Sequence, residues 1–74
     1  MMINTEIPYY HGCGEFATEE YFNISSKKKL SRKELKSQLL KSVNGWEENG
    51  TIYSGDGNRI RILWKDIQLY NEEE

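Results

Sequence analysis

Residues 30–46 read LSRKELKSQLLKSVNGW, and this stretch contains the beginning, the apolar stripe and the end of one helix. Ser31 and Glu34 form an S-x-x-E capping box, in which hydroxyl and carboxylate each satisfy a backbone N–H that the first helical turn leaves unpaired. Leu30 and Leu35 lie at the two positions of a hydrophobic staple across this cap. The sequence therefore predicts that a helix begins at this serine.

Apolar residues of the same stretch recur at helical spacing. Leu35, Leu39 and Val43 lie at i, i+4 and i+8, which places them on one stripe of a helix. Asn44-Gly45 follows, and both residue types adopt the left-handed backbone that commonly ends a helix. The pattern predicts an amphipathic helix over residues 31–44.

Residues 50–64 have the pattern of a β-hairpin. Thr51-Ile52-Tyr53 is rich in strand-forming residues, and residues 59–64 alternate between charged and apolar side chains. The intervening Gly55-Asp56-Gly57-Asn58 is typical of a tight turn. Strand alternation assigns residues to two opposite faces: Ile60, Ile62 and Trp64 to one, and Arg59, Arg61 and Lys65 to the other.

The N-terminal third is less clearly patterned. Residues 3–7 alternate like a strand, and Pro8 near its end indicates an edge position. His11-Gly12-Cys13-Gly14 indicates a turn, after which residues 15–24 are interpreted as a second strand. A short helix beginning at Thr18 is the alternative for that segment.

Together these elements predict an α+β fold of order β-β-α-β-β, with the helix packed on a small antiparallel sheet. We expect residues 1–74 to form a single small domain with a further extended piece near its end and a frayed acidic tail at 71–74. A winged helix-turn-helix is the alternative fold. In it residues 18–23 are helical, 31–44 is the recognition helix and 50–64 is the wing.

Composition narrows the class of protein. Cys13 is the sole cysteine, so no disulfide forms within one chain, and a reducing compartment is expected. No stretch has the length and apolar character of a membrane span, so the sequence predicts a cytoplasmic protein without membrane contact. Residue types with AT-rich codons are abundant, which is typical of low-GC bacteria and their viruses.

Catalytic and metal-binding motifs are weak. His11 next to Cys13 is the one pair typical of an enzyme, because an imidazole stabilises a thiolate, but no third orienting group is identifiable. One histidine and one cysteine are too few ligands for a zinc site. We therefore predict no enzyme activity and no cofactor, and keep a Cys13-dependent enzyme as a remote alternative.

Charge and aromatic residues supply the candidate binding site. Residues 27–41 hold seven bases and one acid, whereas the chain as a whole has a net charge of −2. Tryptophan, tyrosine and arginine are the residues enriched at the energetic centres of protein interfaces. The residues expected to contact a partner are Lys27, Lys28, Lys29, Arg32, Lys33, Lys36, Trp46, Tyr53, Arg59 and Arg61.

The sequence predicts a macromolecular partner, and a protein is favoured over nucleic acid. The pI of about 5.4 is low for a nucleic-acid-binding module, whose pI usually exceeds roughly 9. The hypothesis is a small inhibitor or regulator of the phage or mobile-element type that acts by protein contact. The alternative is a nucleic-acid-binding regulator that uses residues 27–41 and the 50–64 hairpin as a wing. Homodimer formation is left open.

Overall fold

The computed structural model describes residues 2–72 and contains one helix on a six-stranded antiparallel sheet, which confirms the predicted α+β class. Helix α1 spans Arg32–Ser42. The strands are β1 (Met2–His11), β2 (Thr18–Ser26), β3 (Trp46–Glu48), β4 (Thr51–Tyr53), β5 (Arg59–Ile62) and β6 (Gln68–Glu72). Two 3₁₀ turns, Gly14–Phe16 and Trp64–Asp66, precede β2 and β6. Among the described residues, no helix is long and apolar enough to cross a membrane.

Strand β1 lies inside the sheet, whose order is β2-β1-β5-β4-β3 with β6 also paired to β1. One edge of β1 pairs with β2 along nine consecutive residues, from Ile3 to His11. The other edge is shared, because residues 2–6 pair with β6 and residues 9–11 pair with β5.

The expectation that Pro8 marks an edge strand is wrong. The Pro8 carbonyl accepts a hydrogen bond of 2.9 Å from the N–H of Leu63, in the gap where the chain passes from β5 to β6. Since the N–H and C=O of a strand residue point to the same side, the missing proline N–H also faces this gap. A proline is therefore tolerated in this central strand, because neither β5 nor β6 requires a backbone N–H donor from β1 at this position.

The interpretation of residues 15–24 as a strand is confirmed from Thr18 onward. Residues 18–23, which the winged-helix alternative places in a helix, lie in β2. At the other end of the chain, Asn71 and Glu72 of the predicted tail belong to β6 and pair with Ile3 and Met2 of β1. Residues 73–74 lie outside the described part.

The predicted helix boundaries are confirmed by their hydrogen bonds. The Ser31 hydroxyl accepts the backbone N–H of Glu34 at 3.2 Å, and the Glu34 carboxylate accepts the N–H of Ser31 at 3.4 Å. At the far end Asn44 adopts a φ of 53°, and the N–H of Gly45 donates to the carbonyl of Leu40 at 2.8 Å. This six-to-one bond is that of a Schellman motif, which satisfies carbonyls left over in the last turn.

The core lies between α1 and one face of the sheet. Leu39, with no exposed surface, and Leu35 pack in one cluster with apolar side chains of β1 and β5. The sheet residues of this cluster are Ile7, Tyr9, Ile60 and Ile62, with Phe22 and Trp64 partly buried around them. The predicted inward face of β5 is thus confirmed for its two isoleucines. Among residues 2–72, no helix packs on the opposite face of the sheet.

A short hairpin between β3 and β4 was missed by the sequence analysis. Asn49 and Gly50 have φ values of 51° and 81°, as a two-residue hairpin turn requires. Trp46 pairs with Tyr53 in this hairpin. Strand β3 has only three residues and alternation is not readable over so short a run, so the turn pair was the one available signal.

Gly45 is required by a close approach between the end of α1 and β4. A Cβ atom at this position would overlap the carbonyl oxygen of Tyr53 and would also press on Val43 and Leu40. Both backbone segments are held by hydrogen bonds, so neither can withdraw without loss of the cap or the hairpin.

We expect Gly45→Ala to lower the free energy of unfolding by about 3 kcal/mol or more, because backbone rather than a flexible side chain blocks the new methyl group. Gly50→Ala is the matched control: it has open space but a left-handed φ, so it should cost only about 1 kcal/mol. Urea unfolding of both variants measures the difference. Equal losses would contradict the close approach.

Thr5 supplies a second stability test. It is 1% exposed, lies opposite Ile24 and Leu69, and its hydroxyl has no hydrogen-bond partner among the described residues. Replacing an unsatisfied buried hydroxyl by a methyl removes a desolvation cost, so Thr5→Val should raise the free energy of unfolding by about 1 kcal/mol. Thr5→Ser, which keeps the hydroxyl and loses the methyl, should lower it. A destabilised valine variant would show that the hydroxyl is satisfied in solution.

Candidate functional site

The sheet face that points away from α1, here named the open face, carries aromatic and arginine side chains in register. Trp46 of β3 pairs with Tyr53 of β4, which pairs with Arg59 of β5, so these three residues form one row across neighbouring strands. Residues directly opposite each other in antiparallel strands share a face. Arg61, two residues beyond Arg59, pairs with Tyr10 of β1 and begins a second row on the same face.

The aromatic rings of this face are in contact with solvent. Trp46 is 43% exposed, and its ring stacks on Tyr53 with centroids 5.4 Å apart and planes inclined by 24°. Tyr10, Tyr21 and Tyr70 are also exposed. Register places all three on the open face, opposite Arg61, Pro8 and Asn4 respectively.

A depression of about 440 Å³ lies at one end of the open face, beside the turn between β1 and β2. Its lining consists of Tyr10, Gly12, Cys13, Gly14, Ala17, Arg59 and Arg61. Among residues 2–72 neither guanidinium is within ion-pair distance of a carboxylate whose position is described. Phe16 in the adjoining 3₁₀ turn is 83% exposed, so an apolar ring lies in solvent next to the turn that lines this depression.

Acidic side chains of the open face lie on β1 and β2. Glu19 of β2 pairs with Tyr10, and Glu6 of β1 lies two same-face positions from Tyr10. The charge of Glu19 is the main reason why the pKa of the Tyr21 phenol is raised above its ordinary value, with Glu6 adding to it. The open face therefore carries arginines on β5 and carboxylates on the neighbouring strands β1 and β2.

The basic residues predicted from the sequence lie elsewhere. Arg32, Lys33 and Lys36 line a groove along α1, together with Lys41. Lys27, Lys28 and Lys29 are exposed in the connector before the helix and do not line that groove. The structure thus brings together Trp46, Tyr53, Arg59 and Arg61 on the open face and separates them from the basic residues of the helix side.

Neighbouring residues in β3 show this separation directly. Glu47 forms an ion pair of 3.1 Å with Lys36 of α1, so its side chain is on the helix side. Trp46, the preceding residue, stacks on Tyr53 on the open face. Arg59 and Arg61 lie on the open face as well, so the hairpin does not extend the basic patch of the helix.

A third cluster, which the sequence analysis missed, surrounds His11. Its Nδ1 donates to Glu20 at 2.9 Å, and its Nε2 lies 3.0 Å from the hydroxyl of Ser54 and 3.1 Å from a carboxylate oxygen of Asp56. The Ser54 hydroxyl donates to Asp56. Asp56 also accepts the backbone N–H of Asn58 at 2.9 Å. The cluster joins β1, β2 and the turn between β4 and β5.

The order of Ser54, His11 and Glu20 resembles that of a serine nucleophile, a base and an orienting acid, but the hydrogen bonding differs. Hydrogen bonds that the imidazole donates to Glu20 and then to Asp56 raise the pKa of His11, which favours the imidazolium. Donors around Asp56, Ser54 first, lower its pKa. The Ser54 hydroxyl donates to Asp56 rather than to the imidazole, and this serine is only 3% exposed. We name the cluster of His11, Glu20, Ser54 and Asp56 the histidine clamp.

His11 and Cys13, the pair considered for a cysteine enzyme, have separate surroundings. Both ring nitrogens of His11 are engaged by Glu20, Ser54 and Asp56, whereas Cys13 is exposed in the depression with the two arginines. In the described part of the chain, no group of three histidine, cysteine or carboxylate side chains is arranged to hold a metal ion. No short motif in the sequence contains the residues of the histidine clamp, because its four members come from three separate segments of the chain.

Comparison of the chain with protein-family models, with curated proteins and with solved structures finds no match. The function is therefore inferred from the open face, the helix groove and the histidine clamp themselves.

The clamp predicts how stability depends on pH. Because the pKa of His11 is raised in the folded protein, its contribution is fully present below the unfolded value of about 6.5 and is lost as pH rises through the folded value. The lowered pKa of Asp56 gives the opposite sign in acid, where stability falls as its carboxylate is protonated. The free energy of unfolding should therefore be highest between about pH 4 and 6.5.

Urea unfolding at closely spaced pH values measures this curve. His11→Gln keeps hydrogen-bonding capacity and removes the titration, so its stability should stop changing with pH across the range in which the wild type declines. If the free energy of unfolding of the wild type does not change from about pH 6 to 8.5, the positive charge of His11 does not stabilise the fold.

Proposed function

We propose that this chain is a small binding protein that attaches to a protein partner through the open face of its sheet. The observation that carries the proposal is the row formed by Trp46, Tyr53 and Arg59 across three adjacent strands. An antiparallel sheet can leave one face in water, but such a face is then ordinarily polar. Here it carries a stacked aromatic pair beside two arginines.

These residue types support a protein interface. Tryptophan, tyrosine and arginine are enriched among the few residues that dominate binding energy, and such residues cluster near the centre of an interface. Trp46 and Tyr53 hold each other in place by stacking, so less side-chain freedom is lost when a partner covers them. A sheet also presents its side chains at fixed spacing, which favours a rigid binding surface.

The charge pattern of the open face favours a protein over nucleic acid. Arg59 and Arg61 lie on β5, whereas Glu6 lies on β1 and Glu19 on β2. A phosphodiester chain laid across the face would meet carboxylates after passing the arginines, at an electrostatic cost. A protein partner can place acidic side chains against the arginines and basic side chains against the carboxylates.

The depression next to the arginines indicates how such a partner docks. An aspartate or glutamate of the partner fits between Arg59 and Arg61, where it forms charge-assisted hydrogen bonds, while apolar side chains cover Trp46. This mode of action is occlusion or recruitment of the partner, without chemistry on it. A small domain with this surface suits an inhibitor or regulator of the phage or mobile-element type.

Two substitutions on the open face test this function. Trp46→Ala and Arg61→Ala should each weaken binding to one specific protein by about 30-fold or more, the loss expected for a residue worth at least 2 kcal/mol. The partner is first captured from host lysate with immobilised wild-type protein, then purified, and its Kd is measured by calorimetry. Thermal unfolding of each variant verifies the fold.

Lys28→Ala is the matched control, because it removes an exposed cation of the connector and should leave the Kd unchanged. The proposal fails if both open-face variants bind like wild type. It also fails if the only macromolecule bound is nucleic acid, with an affinity that falls steeply between about 50 and 200 mM salt.

A further inference from the structure

A second surface lies on the layer opposite the open face, as a groove of about 1030 Å³ along helix α1. We name it the helix groove. Its lining includes Arg32, Lys33, Lys36, Leu40, Lys41 and Trp64. Arg32, Lys36 and Leu40 are spaced by four residues, and Lys33 and Lys41 by eight, so the helical members form two adjacent rows along the length of α1.

The rim of the helix groove is cationic. Four bases and one acid line it, and the acid, Glu47, is already paired with Lys36 at 3.1 Å. Lys33 and Lys41, near the two ends of α1, are exposed and have no ion-pair partner among the described residues. The rise of about 1.5 Å per helical residue places them roughly 12 Å apart along the groove.

The floor of the helix groove is partly apolar. Leu40 and Trp64 are half-buried and contribute to its lining. The guanidinium of Arg32 lies over the Trp64 ring, 5.1 Å from its centroid, which is the geometry of a cation–π contact. The groove therefore combines two separated cations, Lys33 and Lys41, with apolar lining from Leu40 and Trp64.

We propose that the helix groove binds an acidic, amphipathic peptide segment of a protein, at a site separate from the open face. Two carboxylates of such a segment meet Lys33 and Lys41, and an apolar side chain between them covers Leu40. Burial of that side chain and the two ion pairs stabilise one another, because the apolar contact lowers the local dielectric around the charges.

A peptide fits these features better than nucleic acid does. The face of Trp64 that a base would stack on is occupied by Arg32, and no other aromatic ring lines the groove. The surrounding chain is acidic overall, so a long polyanion is repelled outside the groove. A short segment senses only nearby charges, since the Debye length is about 8 Å at physiological salt.

The two surfaces face in opposite directions, as the adjacent residues Trp46 and Glu47 demonstrate. One compact globular partner cannot cover both layers of so small a domain. With both sites occupied, the chain therefore binds two partner segments at once, one at the open face and one in the helix groove.

The test uses the full chain and a fluorescein-labelled peptide of about ten residues with glutamates around two central leucines, a type of segment recognised by grooves of this kind. Binding is followed by fluorescence anisotropy. Lys33→Ala combined with Lys41→Ala should weaken it about tenfold or more. Lys27→Ala combined with Lys28→Ala removes the same charge outside the groove and should change it less than about twofold.

Three further outcomes decide the proposal. Replacement of the two leucines in the peptide by serine should also weaken binding, and an unchanged affinity would show that the apolar floor is not used. Equal losses in the two double variants would reduce the effect to net charge and overturn the site. Absence of peptide binding, or tighter binding of single-stranded DNA of matched charge to the same lysines, would overturn it as well.

Trp46→Ala separates this inference from the proposed function. The substitution lies on the opposite layer, so it should leave peptide binding intact even where it abolishes capture through the open face. Circular dichroism of each lysine variant confirms that the helix is retained, and Lys33→Ala is well tolerated because a cation near a helix N-terminus is unfavourable.

Discussion

The pairing of β1 with three other strands is the constraint from which the remaining structure follows. One edge of this strand is filled by β2, and the other is divided between β5 and β6 at Pro8. Because β1 is saturated on both edges, its side chains are committed to two faces by alternation alone. Ile7 and Tyr9 face α1 and are buried, while Tyr10 faces away. The distinction between the core and the open face therefore starts from a single strand.

Helix α1 converts this two-sided sheet into a domain with one covered layer. Leu35 and Leu39 close the core over β1 and β5, and the end of the helix approaches β4 so closely that Gly45 cannot carry a side chain. A domain of this size buries only roughly 60% of the surface its unfolded chain exposes, so one helix is insufficient to cover both faces. The aromatic residues on the uncovered face are consequently available to a partner.

The histidine clamp links the ends of β1 and β2 to the turn between β4 and β5. His11 joins Glu20 of β2 to the turn containing Asp56, and the latter is itself closed by Ser54 and Asn58. These contacts stabilise the ends of the strands that present Tyr10 and Arg59. In this cluster the Ser54 hydroxyl donates to Asp56, and the imidazole is held between two carboxylates, so its hydrogen bonds tie the strand ends together.

Local signals in the sequence determined the helix, its capping box, the β4–β5 hairpin and the α+β class, since each depends on residues within a few positions of one another. Residue type also led to the prediction that Trp46, Tyr53, Arg59 and Arg61 contact a partner, and this stays a prediction. Only the tertiary structure decided that these four share one face, that the lysines of α1 lie on the other, and that Pro8 is in a central strand. Such relations depend on which strands become neighbours, and strand pairing joins segments tens of residues apart that carry no short-range mark of their partners.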